Sequence, residues 1–254
     1  IEFVVHAAPG GGSDIFARTM TDVIEKNKLV PVSISVVNKS GGSSAKAKAY
    51  LAEYPGNPYF WMTATTSFTT SYVTGQSELS YKDFTPLGVF GEDTQTILVP
   101  ANSKWKSFKD LMDDAKANPG KINWGGSSVG NDDHILMYRI QKATGVKFNY
   151  VAHKSGGEVM AAILGGAVDM CSANPGEAAA QIEAKTLIPI AVASDKPVPS
   201  ISNVPTLISM GVNIKATQAR GLVGPKDMPK DAVAWLDGMF AKLVKTDGWQ
   251  KYLK

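Results

Sequence analysis

The chain has 254 residues, 44% of them hydrophobic and 19% charged, with a formal net charge of +3. That composition describes a packed chain of one large domain or two ordinary ones, neither disordered nor fibrous. The charge is too mild and too scattered for a nucleic-acid surface, and no apolar stretch approaches the ~20 residues that span a bilayer. A single cysteine, Cys171 in the apolar run AVDMCSA, excludes an internal disulfide and a thiol-rich metal site. The sequence opens on the strand-like IEFVV without an initiator Met, so a processed N-terminus is expected.

IEFVVHA reads as a buried strand, and SDIFARTMTDVIEKN after it as a helix with Phe16, Met20, Val23 and Ile24 on one face and Ser13 as its N-cap. VSISVVN, YFWMTAT, GVFG and TQTILVP follow as strands. SFKDLMDDAKANPG is a helix that starts on a capping Ser107 and stops at Pro119-Gly120. INWGG, FNYVAH, VDMCSA, IPIAVAS and RGLVGP read as further strands, with helices over DDHILMYRIQKATG and GEVMAAILGGAV between them. PKDAVAWLDGMFAKLVKT closes the chain as an amphipathic helix. Strand–helix alternation of this length predicts an α/β fold with largely parallel sheets. Trp61 and Trp124, at strand ends, are assigned to the core.

Gly-rich junctions between strand and helix occur at APGGGSD (8–14), NKSGGSSAK (38–46), GGSSVGN (125–131) and HKSGGE (153–158). In doubly wound sheets such loops lie at the carboxyl ends of strands, where ligands bind. Their distribution over both halves suggests two α/β lobes. One loop, Gly126-Ser127-Ser128-Val129-Gly130, also fits the G-x-S-x-G pattern of a hydrolase nucleophile elbow in a strand–turn–helix setting. Chain order speaks against that reading. The three histidines are His6, His134 and His153, so about 100 residues would follow the triad unused. No Gly-Lys-Ser/Thr follows any loop, and Ile15 breaks the dinucleotide fingerprint begun by Gly10-Gly11-Gly12. No Cys/His cluster, H-E-x-x-H or EF-hand loop indicates a metal.

What remains is an anion cradle. The first turn of a helix has unpaired N–H groups and a partial positive charge, and glycine lets a carboxylate come close to them. APGGGSD and GGSSVGN both supply this chemistry. Asp132 and Asp133, in the first turn after Asn131, read as dipole compensation or as acceptors for a ligand hydroxyl. Arg220 reads equally as a fork onto a carboxylate or as an ordinary ion pair. Arg18 and His134 are assigned structural roles.

The segments VVHAAPGGGSDIFAR, VVNKSGGSSAKAKAYLAE, YKDFTPLGV, ILVPANSKWKSFKDLMDDAKANPGKINWGG, ILGGAVDM, QIEAKTLIPIAVASDKPVPSISNVPTL and RGLVGPKDMP run almost end to end. In their order and spacing the chain resembles the substrate-binding receptors of tripartite tricarboxylate transporters, the Bug receptors. The resemblance implies an α/β, two-lobe periplasmic binding protein fold, type II-like, that closes on a ligand in the interlobe cleft. The lobes are expected at 1–98 with 221–254 and at 99–220, with hinges near 98–100 and 219–221.

The ligand is expected to be a di- or tricarboxylate or an aromatic acid, delivered to membrane permease subunits. An exported, periplasmic, monomeric protein without enzymatic activity or cofactor is implied. The family's grip maps onto Gly11, Gly12, Ser13 and Asp14, then Thr65, Thr66 and Ser67. In the second lobe it maps onto Ser127, Ser128, Gly130, Asn131 and Asn174, with Arg220 as a further candidate. Ser128 and Asn131 depart from the common Gly and Thr of relatives. An esterase using Ser128 and a sensor for a signalling partner stand as alternatives.

Overall fold

The computed structural model describes residues 1–253. The chain divides into two compact units, Ile1–Glu92 together with the chain from Ala219 on, and Asp93–Gln218. The first boundary falls six residues before the expected 98/99, because Leu98 lies inside a strand that pairs within the second unit. Arg220 belongs to the first unit, not to the second lobe in which it was expected.

The first unit runs β1 (Glu2–Val5), α1 (Gly12–Lys26), β2 (Ser35–Asn38), α2 (Ala45–Ala52), β3 (Phe60–Ala64), α3 (Thr66–Val73) and β4 (Phe84–Thr94), which leads out of it. The second runs β5 (Thr96–Pro100), α4 (Phe108–Ala117), β6 (Asn123–Ser127), α5 (Asp132–Thr144), β7 (Asn149–His153), α6 (Gly156–Leu164), β8 (Met170–Ala173), α7 (Ala179–Glu183) and β9 (Leu187–Val192). β10 (Thr217–Pro225) returns the chain to the first unit, which ends with α8 (Lys230–Leu243) and α9 (Asp247–Tyr252).

The sheets are ordered β2-β1-β3-β10-β4 and β7-β6-β8-β5-β9. β1 pairs in parallel with β2 and β3, and β6 in parallel with β7 and β8. The expectation of largely parallel sheets needs correction at two strands. β10 runs antiparallel to β3, and β5 antiparallel to both β8 and β9. Only parallel neighbours require a helical crossover, and these strands arrive directly from the other unit. The loops after β1, β3 and β6 therefore lie at the carboxyl ends of strands in the parallel portions.

Helix boundaries follow local chemistry. Ser107 caps α4 by accepting from the Asp110 amide, as its position predicts. Ser155 caps α6 in the same way while Glu158 reaches back to the Lys154 amide. The N-cap of α1 falls two residues earlier than expected: it is Gly11, and Ser13 sits inside the first turn.

The core of the first unit packs Phe16 against Phe90 and Trp249, and Trp61 against Phe3 and Phe240. In the second unit Trp124 packs edge-on against Phe148 and donates to Ser172 Oγ. Trp61 and Trp124 are fully buried, as assigned, and so is Cys171. No helix among the described residues is long and apolar enough to cross a membrane.

Trp249 is the single fully buried residue of α9 and holds that helix against α1. Trp249→Ala is expected to cost roughly 3–5 kcal/mol and to lower Tm by roughly 6–20 °C in a thermal melt. A change within 2 °C would contradict this role for the α1–α9 contact.

Candidate functional site

In the first unit the chain leaves β1 at His6 and enters α1 through Gly10, whose φ of +79° a side chain would strain. Asp14, in the first turn of α1, turns back toward this loop. Its carboxylate accepts from the Gly10 amide (3.0 Å), Arg18 Nε (3.0 Å) and Asn38 Nδ2 (2.9 Å). Burial works to raise the Asp14 pKa, but these hydrogen bonds together outweigh it and hold the carboxyl below its ordinary value. Asp14 is thus an ionised brace. The Gly11 amide donates to Ala8 O, whereas the N–H groups of Gly12 and Ser13 have no acceptor among the described residues.

α3 has the same opening. Thr65 occupies its N-cap position yet makes no capping hydrogen bond. Its hydroxyl lies instead 3.1 Å from His6 Nε2 and 3.3 Å from Ser67 Oγ. The amides of Thr66 and Ser67 are left without acceptors among the described residues. His6 thereby meets two predicted residues, Thr65 and, at 3.5 Å, Ser13, and Thr65 links on to a third, Ser67. Burial, opposed by the hydrogen bond to Thr63 O and aided by the nearby charge of Arg220, lowers the His6 pKa to about 4. Its ring is neutral at physiological pH. Arg220 is itself buried.

In the second unit Asp133 is the brace. It accepts from both the amide and the hydroxyl of Ser127, the latter at 2.8 Å. The His134 amide and the Tyr150 hydroxyl reach its other oxygen, each at 2.7 Å. Burial raises the Asp133 pKa to about 6 against these hydrogen bonds. The Tyr150 hydroxyl is also 3.0 Å from Ser128 O, which can only accept. Both contacts are satisfied when a protonated Asp133 donates to Tyr150 and Tyr150 donates to Ser128 O. Gly126 is required here, since a Cβ would collide with the Tyr150 hydroxyl.

Asn131 is the N-cap of α5, but its side chain donates to Ser127 Oγ (2.8 Å) and makes no cap. The amides of Asn131 and Asp133 have no acceptor among the described residues. The Gly130 amide donates to His134 Nδ1 at 3.0 Å, so its N–H is already engaged. Asp132 is clamped by Gln95 Nε2 and by Gln218 Nε2, the latter at 2.6 Å. Asn174 donates to Thr94 O at 2.8 Å, away from the Ser127 loop's own hydrogen bonds.

Ser128 has a φ of +66°, a backbone conformation suited to an elbow. No hydrogen bond joins its hydroxyl to a histidine among the described residues; His134 Nδ1 is taken by Gly130, and His153 meets Ser128 only through the backbone. No cluster of three or more metal-ligating side chains occurs among the described residues.

His6, Tyr150 and Asn38 were not singled out by sequence reasoning. His6 had a usable signal, since it stands at the carboxyl end of the first strand, next to the glycine loop. Tyr150 had none, because only the β6–β7 pairing brings it over Gly126.

Opposite pH signatures follow from these burials. His6 binds a proton less readily folded than unfolded, so stability falls as pH drops from about 6.5 to about 4. Asp133 binds one more readily folded, so its contribution is present below about 3.8 and is lost as pH rises to about 6. Between about pH 4 and 6 the two oppose each other. Asp133→Asn is expected to steepen the acid-side loss of stability in that window relative to the parent, read from Tm against pH. An unchanged slope would show that Asp133 does not change its proton uptake on folding.

A family model described as "Tripartite tricarboxylate transporter family receptor" matches residues 15–254. A Cupriavidus necator protein described as "UPF0065 protein in gbd 5'region" is 28% identical over the whole chain, which covers 77% of that relative. A solved structure described as "Structure of a periplasmic transporter" is 27% identical with a TM-score of 0.92, over 99% of this chain and 85% of that one. The same fold is found in an R. palustris protein solved with adipate (24% identical, TM-score 0.91, covering 100% and 85%). It is found again in MatC from Rhodopseudomonas palustris with bound malate (19%, 0.90, covering 99% and 86%). The chain belongs to the tripartite tricarboxylate transporter receptor family.

Proposed function

We propose that this receptor captures a small organic carboxylate in the periplasm and delivers it to the membrane permease of its transporter. The observation that carries the reading is the set of open N–H groups at α1, α3 and α5. Thr65 and Asn131 are residues of the type that closes helix N-termini, and both have side chains engaged by other partners, His6 and Ser127. Open first-turn N–H groups with the positive end of a helix dipole favour a carboxylate. The acids bound by the adipate and malate structures are of the same chemical class.

In this reading Gly12, Ser13, Thr66 and Ser67 offer donors to a carboxylate in the first unit, and Ser128, Asn131 and the first turn of α5 offer them in the second. Gly11, Asp14, Ser127, Gly130 and Asn174 shape the loops, and Arg220 supplies charge beside His6. The chain passes between the units at Glu92–Asp93 and Gln218–Ala219. A serine esterase would need a base at Ser128 that the histidines do not provide.

A thermal-shift panel of di- and tricarboxylates and aromatic acids, with sugars and neutral amides as controls, tests the proposal. At ligand about 100-fold above Kd the stabilisation should be ~2.7 kcal/mol, or roughly 5–11 °C. A shift with neutral compounds alone would reject a carboxylate grip.

A further inference from the structure

His6 fixes the hydrogen-bond polarity of the first unit's loops. Its Nδ1 lies 3.0 Å from Thr63 O and 2.7 Å from Thr63 Oγ1. A carbonyl oxygen only accepts, so Nδ1 carries the ring proton and Nε2 is bare. Two hydroxyls lie near Nε2, Thr65 Oγ1 at 3.1 Å and Ser13 Oγ at 3.5 Å, and the nearer, Thr65, is taken as its donor. With that proton spent, the 3.3 Å contact between Thr65 and Ser67 requires Ser67 to donate. The 2.7 Å contact between Ser67 and Ser44 in turn requires Ser44 to donate. Ser43 and Ser44 both adopt positive φ (+46° and +80°), an uncommon conformation for serine, and Ser44 Oγ ends the chain of hydroxyls there.

Every proton along Ser44, Ser67 and Thr65 therefore points toward His6. Thr65 Oγ1 and Ser67 Oγ keep lone pairs and have no proton to offer. Beside them stand the open amides of Gly12, Ser13, Thr66 and Ser67, which only donate. A plain carboxylate uses the amides and leaves the hydroxyl lone pairs unmatched.

We infer that His6 makes this receptor selective for hydroxycarboxylates, whose hydroxyl donates to Thr65 or Ser67, over the unsubstituted acids. The inference rests on the carboxylate reading above and names the substrate class within it. His6 is a positioning residue and Thr65 the group it sets.

Titration calorimetry at pH 7 on matched pairs, malate with succinate and 2-hydroxyglutarate with glutarate, reads the selectivity. The hydroxy acid should bind roughly tenfold tighter in at least one pair, the worth of one well-placed hydrogen bond. Thr65→Val should bring that ratio toward one, and Thr65→Ser should retain it. Nitrogen-15 NMR of the His6 ring should show a protonated Nδ1 and a bare Nε2, a signature that does not depend on any variant. Binding of the acids without preference, or a ratio that Thr65→Val leaves intact, would overturn the inference while leaving the carboxylate reading in place. Failure of every acid to bind would overturn both, and the opposite ring tautomer would overturn the role of His6 alone.

Discussion

The structure turns on helix N-termini that are left open. A helix end normally satisfies its first N–H groups with a cap, and α4, α6 and α9 do so through Ser107, Ser155 and Thr246. At α3 and α5 the residues in the cap position are Thr and Asn, equally able to close the end, yet each is drawn away by a neighbour. His6 takes Thr65, and Ser127 takes Asn131. The folding energy that a cap would supply is forgone, on the order of 1 kcal/mol per helix. In exchange, rigid N–H donors stay unsatisfied at these ends, the groups proposed to take the carboxylate. The arrangement depends on elements distant in sequence, since His6 follows β1 while Thr65 follows β3, the strand paired beside it.

A carboxylate braces each unit's glycine loop, and the two solve the same electrostatic problem differently. An anionic side chain beside a helix end proposed to bind an anion would repel that anion. In the first unit Asp14 stays ionised, and Arg18 lies 3.0 Å away as its counter-charge. In the second unit Asp133 has no cation among its hydrogen-bond partners, and burial moves it toward the neutral form. Both braces hold the loop backbone, through the Gly10 and Ser127 amides respectively. Dipole compensation, the expected role of Asp133, describes only part of this. The side chain is also the keystone of the loop, with Tyr150 joining it to Ser128 O.

Hydrophobic runs and Gly-rich junctions made the ten strands and the α/β class legible in the sequence, and the resemblance supplied the two-lobe arrangement. The glycine loops also marked α1 and α5 as the places to look. What could not be read was the direction of side chains. Asp14, Ser127 and Gly130 stand within the right loops, but their hydrogen-bonding groups turn inward to Gly10, Asp133 and His134. His6 and Tyr150 matter because strand pairing places them over a loop formed elsewhere in the chain, and no local pattern encodes that. The unit boundary was misplaced for a similar reason. The run TQTILVP signals a strand at 96–100 without saying which sheet it joins, and its partners prove to be β8 and β9.

The open N–H groups can be observed directly by an amide NMR titration of the isotopically labelled protein with the acid that gives the largest thermal shift. If these groups are the grip, the amide protons of Gly12, Ser13, Thr66 and Ser67, and those of Asn131 and Asp133, move downfield together and saturate at one Kd. Saturable binding that leaves these six amides unmoved would contradict the account at its centre, because the acid would then be held by some other part of the molecule.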